Sequence, residues 1–524
     1  MSPTPAASSA VPGMRRNMVT ICAMTATIMQ ALDTTIANVA LPYMQGTLSA
    51  SQDQINWVLT SYIVAAAIMT APVGWIANRF GRKRVFIICS AGFTIASVMC
   101  GLAQDINQMV LFRLLQGMFG AALVPLSQAV MLDSYALHER AKAMSIWGMG
   151  VMMGPIMGPS LGAWLTETYS WHWVFFVNIP FGIVTVAGLM VFMDETKKNL
   201  ELRFDWFGFA ALAVGIGSLQ IALDRGEQLG WLESNEIIIE FVVAVVGFYY
   251  FFAHSFTTEK PFIQFAIFTD RNFVGGCVFM TVMGLVLYST MALSSPYLQN
   301  VIGYPIITAG VLLASRGCGT FVAMMLVGRM MRFIEARTLI IAGLGLTGLS
   351  LFYMTGWTDQ TGVPEIVTIS IIQGFGFGLV FVPLSTVAFL TLPNHLRTDG
   401  TSMLTLLRNV ASSIGISVVI AQLTEGGRRT YAVLSEHINP FNQSLQMPDV
   451  RGLIDLNSDS GRALADVVVT AQAQIIAFAR DYQLVMFFIL GSIPLAIIVG
   501  STKVALRAQS ANPADAAEHA AVMD

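Results

Sequence analysis

The chain has 524 residues, 55% of them hydrophobic and only 11% charged, with a mean hydropathy of +0.67. A soluble protein carries about 25% charged residues, so this chain cannot cover a water-facing surface, and a polar disordered chain is excluded on the same ground. Its 28 basic and 31 acidic residues give a net charge of -3, which leaves no basic face for nucleic acid.

Apolar runs of the ~20 residues that a helix needs to cross a bilayer recur along the whole sequence. Read between charged and Pro/Gly/Asn-rich breaks, they predict an all-α polytopic membrane protein of 14 spans. These lie near 17–42, 55–77, 85–103, 108–131, 142–163, 174–193, 206–223, 237–254, 272–296, 307–330, 338–357, 365–389, 400–423 and 482–502. Met14-Arg15-Arg16-Asn17 before span 1 has the look of a twin-arginine leader. The run that follows carries Asp33 and no small-residue cleavage site, so an uncleaved first helix is expected.

An even number of spans puts both tails, 1–16 and 503–524, on one side. If that side is cytoplasmic, nineteen Lys and Arg face the cytoplasm and six lie opposite, the other three (Arg113, Arg316, Arg408) being within spans. That is a one-sided positive-inside bias. Cys22, Cys89, Cys100, Cys277 and Cys318 sit in apolar runs without a CxxC pair, and no histidine falls in the middle of a span. No disulfide framework, metal site or histidine proton relay is expected. Between spans 13 and 14, residues 424–480 form a long polar loop, whose end from Arg462 to Tyr482 reads as an amphipathic helix entering span 14. Such a loop is either a docking surface or an inert cap.

The sequence also repeats. Arg16-Asn17 and Pro42-Tyr43-Met44-Gln45 bracket span 1 as Arg271-Asn272 and Pro296-Tyr297-Leu298-Gln299 bracket span 9. Gln116-Gly117 with Val124-Pro125-Leu126-Ser127 in span 4 returns as Gln373-Gly374 with Val382-Pro383-Leu384-Ser385 in span 12. The repeat divides the chain into a six-helix half (17–193), a linker with two inserted helices (194–271) and a second six-helix half (272–502). Parallel halves with a site between them near the midplane are a transporter architecture.

Several motifs carry a family likeness. Gly74-Trp75-Ile76-Ala77-Asn78-Arg79-Phe80-Gly81-Arg82-Lys83-Arg84 joins spans 2 and 3, and Arg113-Leu114-Leu115-Gln116-Gly117 lies in span 4. Span 5 holds Gly150, Gly154-Pro155, Gly158-Pro159 and Gly162, and Trp171 to Pro180 leads into span 6. With Leu32-Asp33-Thr34-Thr35 in span 1 and Trp57 to Tyr62 in span 2, the chain resembles the major facilitator superfamily, in particular its fourteen-span drug:proton antiporters of the EmrB type. The resemblance implies efflux of hydrophobic compounds across a bacterial inner membrane, driven by protons without any other cofactor. It also implies a periplasmic membrane-fusion adaptor of the EmrA type and an outer-membrane channel of the TolC type as partners. One departure is Asn78, where the family has an acid in the span 2–3 motif, so a charge-based inner latch is expected to be weakened. By the same likeness the span 5 glycines, spaced by four residues and so on one helix face, seal the two halves on the inner side. Gly343-Leu344-Gly345-Leu346-Thr347-Gly348 matches GxGxxG but lies inside an apolar span, not after a strand, and no Walker A sequence exists.

Ionisable groups at lipid depth are costly and functional by default. Asp33 and Arg113 fall at overlapping depths in the outer half, and the repeat duplicates neither of them. They are the expected proton-coupling pair, the alternative being a static ion pair. Gln30, Asn38, Arg316 and Arg408 are the candidate cavity residues. One interior acid against three arginines favours lipophilic weak acids as cargo. A nutrient:proton symporter and a transport-inactive sensor or scaffold remain as other readings; a nucleophile–base pair for an enzyme is not recognisable.

Overall fold

The computed structural model describes residues 13–136, 139–196, 198–200, 203–258, 261–393, 396–439, 442, 445, 447, 456 and 458–497. Residues 1–12 and 498–524, most of 440–457 and the side chain of Pro155 lie outside the described residues. Among those described, the chain is helical and has no strand.

The helices of the first half are α1 (Gly13–Thr47), α2 (Gln52–Thr70), α3 (Val73–Phe80), α4 (Arg82–Gly101), α5 (Ile106–Gly120), α6 (Leu123–Ser134), α7 (Arg140–Thr168), α8 (Trp173–Phe176) and α9 (Asn178–Phe192). The insert is α10 (Trp206–Leu229) and α11 (Asn235–Thr257). Then come α12 (Arg271–Pro296), ending in a π turn at Tyr297–Val301, α13 (Ile306–Met330), α14 (Ala336–Met354), α15 (Val363–Val387), α16 (Arg397–Ser435) and α17 (Asp459–Ser492).

Twelve rods among the described residues are long and apolar enough to cross a membrane. The pair α2–α3, bent by 56° at Ala71–Pro72, makes a thirteenth. Proline has no N–H to give the preceding turn, so the bend falls there. The fourteenth, α7, has 29 residues and a lower hydropathy because of its glycines and prolines. Side chains close the helix starts: Ser51 and Gln54 form a capping box on α2, and Asp105, Asp205, Asp270 and Ser458 cap α5, α10, α12 and α17.

In the first half α1 packs on α7 and α9, α2 on α5, and α4 on α5 and α9. In the second, α12 packs on α16, α13 on α15, and α14 on α15 and α17. Span 1 thus meets span 5 as span 9 meets span 13, and span 3 meets span 6 as span 11 meets span 14. The halves touch along α7–α13 and where α16 crosses α2, α3 and α6. The inserted α10 lies against α2 and α16, with Gln220 donating to Ser413 at 2.7 Å.

Two expectations change. The loop 424–480 is largely helical, since α16 runs on to Ser435 and α17 begins at Asp459. At 39 and 34 residues and ~1.5 Å per residue, both outrun a hydrocarbon core of ~30 Å and project as a helical pair. The glycine face of α7 does not seal the halves. Gly150 faces Met24 and Thr27, Gly154 faces Ala31, Gly158 faces Thr35 and Gly162 faces Ile36, all on α1 of the same half. Close spacing identifies a small-residue face but not its partner. The face towards α13 instead presents Ser145, Gly148, Ile156 and Ser160 to Gly328, Met324, Gly317 and Gly310.

Candidate functional site: a sealed carboxylate–arginine centre

The first half encloses one polar centre. Asp33 on α1 and Arg113 on α5 are 0% and 1% exposed, and Arg113 NH1 donates to Asp33 Oδ2 at 2.8 Å. The other carboxylate oxygen accepts from Gln116 Nε2 at 2.7 Å and from Asn178 Nδ2 at 3.1 Å. Arg113 also donates to Gln116 Oε1 at 2.8 Å and, through Nε, to the carbonyl of Val58 at 3.0 Å. Its guanidinium lies 4.3 Å from the ring centre of Tyr62 and 5.7 Å from that of Phe175. Gln30 reaches the Tyr62 hydroxyl at 3.4 Å.

Each partner has a local reason for its place. Gln116 stands three residues after Arg113 and shares its helix face. Asn178 opens α9 at the break after α8, where it also donates to Ser97 Oγ at 2.9 Å. Gly117 allows α5 to approach the carbonyl of Tyr62 on α2. A carboxylate is acceptor-only when ionised, and the three donors on Asp33 occupy three of its roughly four lone-pair sites. Gln116, Asn178 and Tyr62 all stand in the sequence motifs quoted above, yet none was singled out for the site; the i,i+3 spacing from Arg113 was the signal for Gln116.

Of the other candidates, half-buried Gln30 borders this centre through Tyr62, and exposed Asn38 stands five residues from Asp33, about 1.4 turns along α1. Arg316 on α13 is 6% exposed and donates to Ser294 Oγ at 3.0 Å. Arg408 on α16 is 9% exposed, with its stem against Gly284 of α12 and no partner for its Nε. The tally of one interior acid is wrong: Asp481 on α17 is also fully buried. The sequence boundary of span 14 fell one residue after it.

At the end that carries the basic motif, the latch is built from other acids than the family pattern predicts. Asp133 at the end of α6 accepts from Arg82 of its own half and, at 2.7 Å, from Arg397 of the other. Asn78 donates to Asp399 of α16 at 3.4 Å, and Gly74 leaves room for Asp399 beside α3. An acid thus reaches position 78 from across the interface. Arg79 donates to the carbonyl of Leu200 at 2.6 Å, and Lys83 to that of Met190 at 2.9 Å. Gly81 turns the chain with φ +94°, a region open to glycine. Pro159 is half-buried in α7.

Two helical bundles with an inserted pair, twelve to thirteen candidate spans among the described residues and α7 beside them, with an ion pair buried in one bundle, are the architecture of a polytopic membrane transporter. Residues 23–416 match the model of the Major Facilitator Superfamily, and the chain belongs to that family. It is 35% identical to the multidrug export protein EmrB of Escherichia coli K12 over 83% of this chain and 85% of that one. It is 32% identical to the fatty acid resistance protein FarB of Neisseria gonorrhoeae, covering 82% of this chain and 84% of that one. Among solved structures, the proton:xylose symporter XylE superposes with a TM-score of 0.56 at 14% identity, over 93% of this chain and 97% of that one, which is a likeness of fold.

Proposed function

We propose that the protein is a proton-driven antiporter that exports hydrophobic compounds, lipophilic weak acids foremost, across a bacterial inner membrane. The observation that carries this reading is the sealed Asp33–Arg113 pair with its two amide partners. In it Asp33 carries the proton and Arg113 sets how readily the proton is held. The basic end is cytoplasmic by the positive-inside bias, which places both termini there. Alternating access then consists of the halves 17–193 and 272–502 rocking about α7–α13, with Asp133, Arg397 and Asp399 holding the cytoplasmic end shut in the form described.

The preference for acids rests on Arg316 and Arg408. Among the described residues neither forms an ion pair with a carboxylate, and an unpaired buried charge costs several kcal/mol, an order-of-magnitude figure, until an anion arrives. The relatives' names agree with this reading, one being a multidrug exporter and another a fatty acid resistance protein. By the same likeness, an EmrA-type adaptor leading to a TolC-type channel meets the projecting ends of α16 and α17, where Val433, Leu464 and Val467 are exposed.

The test is reconstitution into inside-out vesicles with an acidic lumen, recording proton release as lipophilic acids or cations are added. Release triggered by acids and lost in Asp33→Asn is expected. Unchanged coupling in Asp33→Asn would remove that residue from the mechanism, and a preference for cations would remove the two arginines from cargo recognition.

A further inference from the structure

The second half holds an acid that this reading leaves unused. Asp481 is 0% exposed, and neither of its carboxylate oxygens has a hydrogen-bond partner. Asp33 is equally buried but accepts three hydrogen bonds. The contrast is chemical. An ionised carboxylate buried without a donor is an uncompensated charge, whereas the protonated acid is neutral and tolerable there.

A cavity ends about one turn along α17 from this acid. Asp481 follows Gln474 by seven residues and Phe478 by three, so it shares their face of α17, one turn deeper. Gln474 and Phe478, with Asn300 beyond α12 and Thr424 and Arg428 on α16, line a cavity of ≈ 490 Å³ at the end opposite the basic motif. Ala477, one turn before Asp481, lies against Gly426 of α16, which turns this face of α17 towards α16.

None of the charged or titratable groups around it is bonded to Asp481. On α16, Arg429 pairs with Glu425, Tyr431 donates to Asp466, and Arg428 is exposed at the cavity rim. Tyr297, in the π turn after α12, donates to the carbonyl of Thr358. On α17 itself, Arg480 donates to Thr430 and Tyr482 is buried beside Asp481. Arg316 of α13 is held at Ser294. On α14, Gly348 packs against Ile489 and Leu490, eight and nine residues further along α17.

We propose that Asp481 is a second proton-binding site, in the half that lacks the Asp33–Arg113 pair, loaded through the cavity between α12, α16 and α17. In the closed packing its carboxyl oxygen is bonded to the proton. When α16 and α17 part and water enters, the O–H bond breaks, the proton leaves to water and the carboxylate is hydrated. No other reactant is required. The use of this proton in transport rests on the antiport reading; the proton site itself does not.

Two measurements on the full-length protein separate these. In pH-difference infrared spectra of the purified protein, a protonated-carboxyl C=O band is expected to titrate in the wild type and in Asp33→Asn. The component that persists in Asp33→Asn is that of Asp481, and it should vanish in Asp481→Asn and return, shifted, in Asp481→Glu. Asp481→Asn keeps the shape of the protonated acid, and a monodisperse elution with an unchanged melting midpoint shows that it folds. In proteoliposomes the same variant should move about one proton fewer per substrate, with Asp33→Asn abolishing coupling. Survival in Asp481→Asn of the component that persists in Asp33→Asn, or a signal that follows sodium instead of pH, overturns the proposal. No substrate-triggered proton movement in the wild type, with the Asp481 band intact, would sink the antiport mechanism and leave the second site standing; normal coupling in Asp33→Asn would remove only Asp33 from it.

Discussion

Asp33 and Arg113 show what one buried pair commits the fold to. Arg113 holds Asp33, Gln116 and the Val58 carbonyl from a single guanidinium and lies over Tyr62. Lysine, a point charge with a flexible stem, cannot reproduce that set. Removing one partner of a buried pair leaves the other charge uncompensated, at about 3–5 kcal/mol, whereas removing both leaves no charge to bury. Asp33→Ala is therefore expected to melt earlier in detergent than the double variant Asp33→Ala/Arg113→Ala. If the two single changes merely add in the double variant, the pair is not coupled in stability. Both residues were legible in the sequence because an ionisable group in an apolar run has no cheap explanation. Gln116 and Asn178 were not, since neutral amides in a helix stand out only once the carboxylate they serve has a position.

The helices show where periodicity informs and where it stops. Four-residue spacing gave the small face of α7 directly, but a face has many possible partners, and this one packs on α1 instead of across the interface. The packing differs along its length in a way that can be tested. A methyl group at Gly154 would run into the carbonyl of Ala31, which is backbone and cannot yield. At Gly150 it would meet the terminal methyl of Met24 at 2.8 Å, the movable end of a flexible chain. Gly154→Ala is thus expected to lose about 1–3 kcal/mol, visible as a lower thermal midpoint, with Gly150→Ala much closer to wild type. Equal losses would mean that α1 yields as a body. Helix ends were harder to read than faces. Asp481 escaped because an apolar window ends at the first charge, while the helix itself runs unbroken from Asp459 to Ser492. A sequence boundary follows hydropathy, and a helix follows its backbone hydrogen bonds.

For the whole molecule the question is what keeps one end shut. The repeat in the sequence made two halves and a site between them legible, because a fixed offset survives even where single residues differ. The latch was not, because its acids come from different elements: Asp133 from α6 and Asp399 from α16, with Arg82 and Arg397 meeting at Asp133. Of these contacts Asp133–Arg397 joins the halves by charge, and it is partly exposed at the acid and buried at the arginine. Apolar closure lies deeper, where Trp147 of α7 stacks on Phe381 of α15 at 5.8 Å. Asp133→Asn keeps the side-chain shape and removes the charge. A hydrogen bond to a charged group is worth about 1.5–3 kcal/mol, and the lower end of that range already changes a two-state ratio by about tenfold. Spin labels replacing Phe80 and Phe333, exposed near the ends of α3 and α13, report the separation of the halves at the basic end in a cysteine-free background. In Asp133→Asn the pulsed-resonance distances should gain a longer population that the wild type holds at a minor level. An unchanged distribution would transfer the closure to the Trp147–Phe381 contact, and the charge bridge would then only ride on a gate that apolar packing keeps shut.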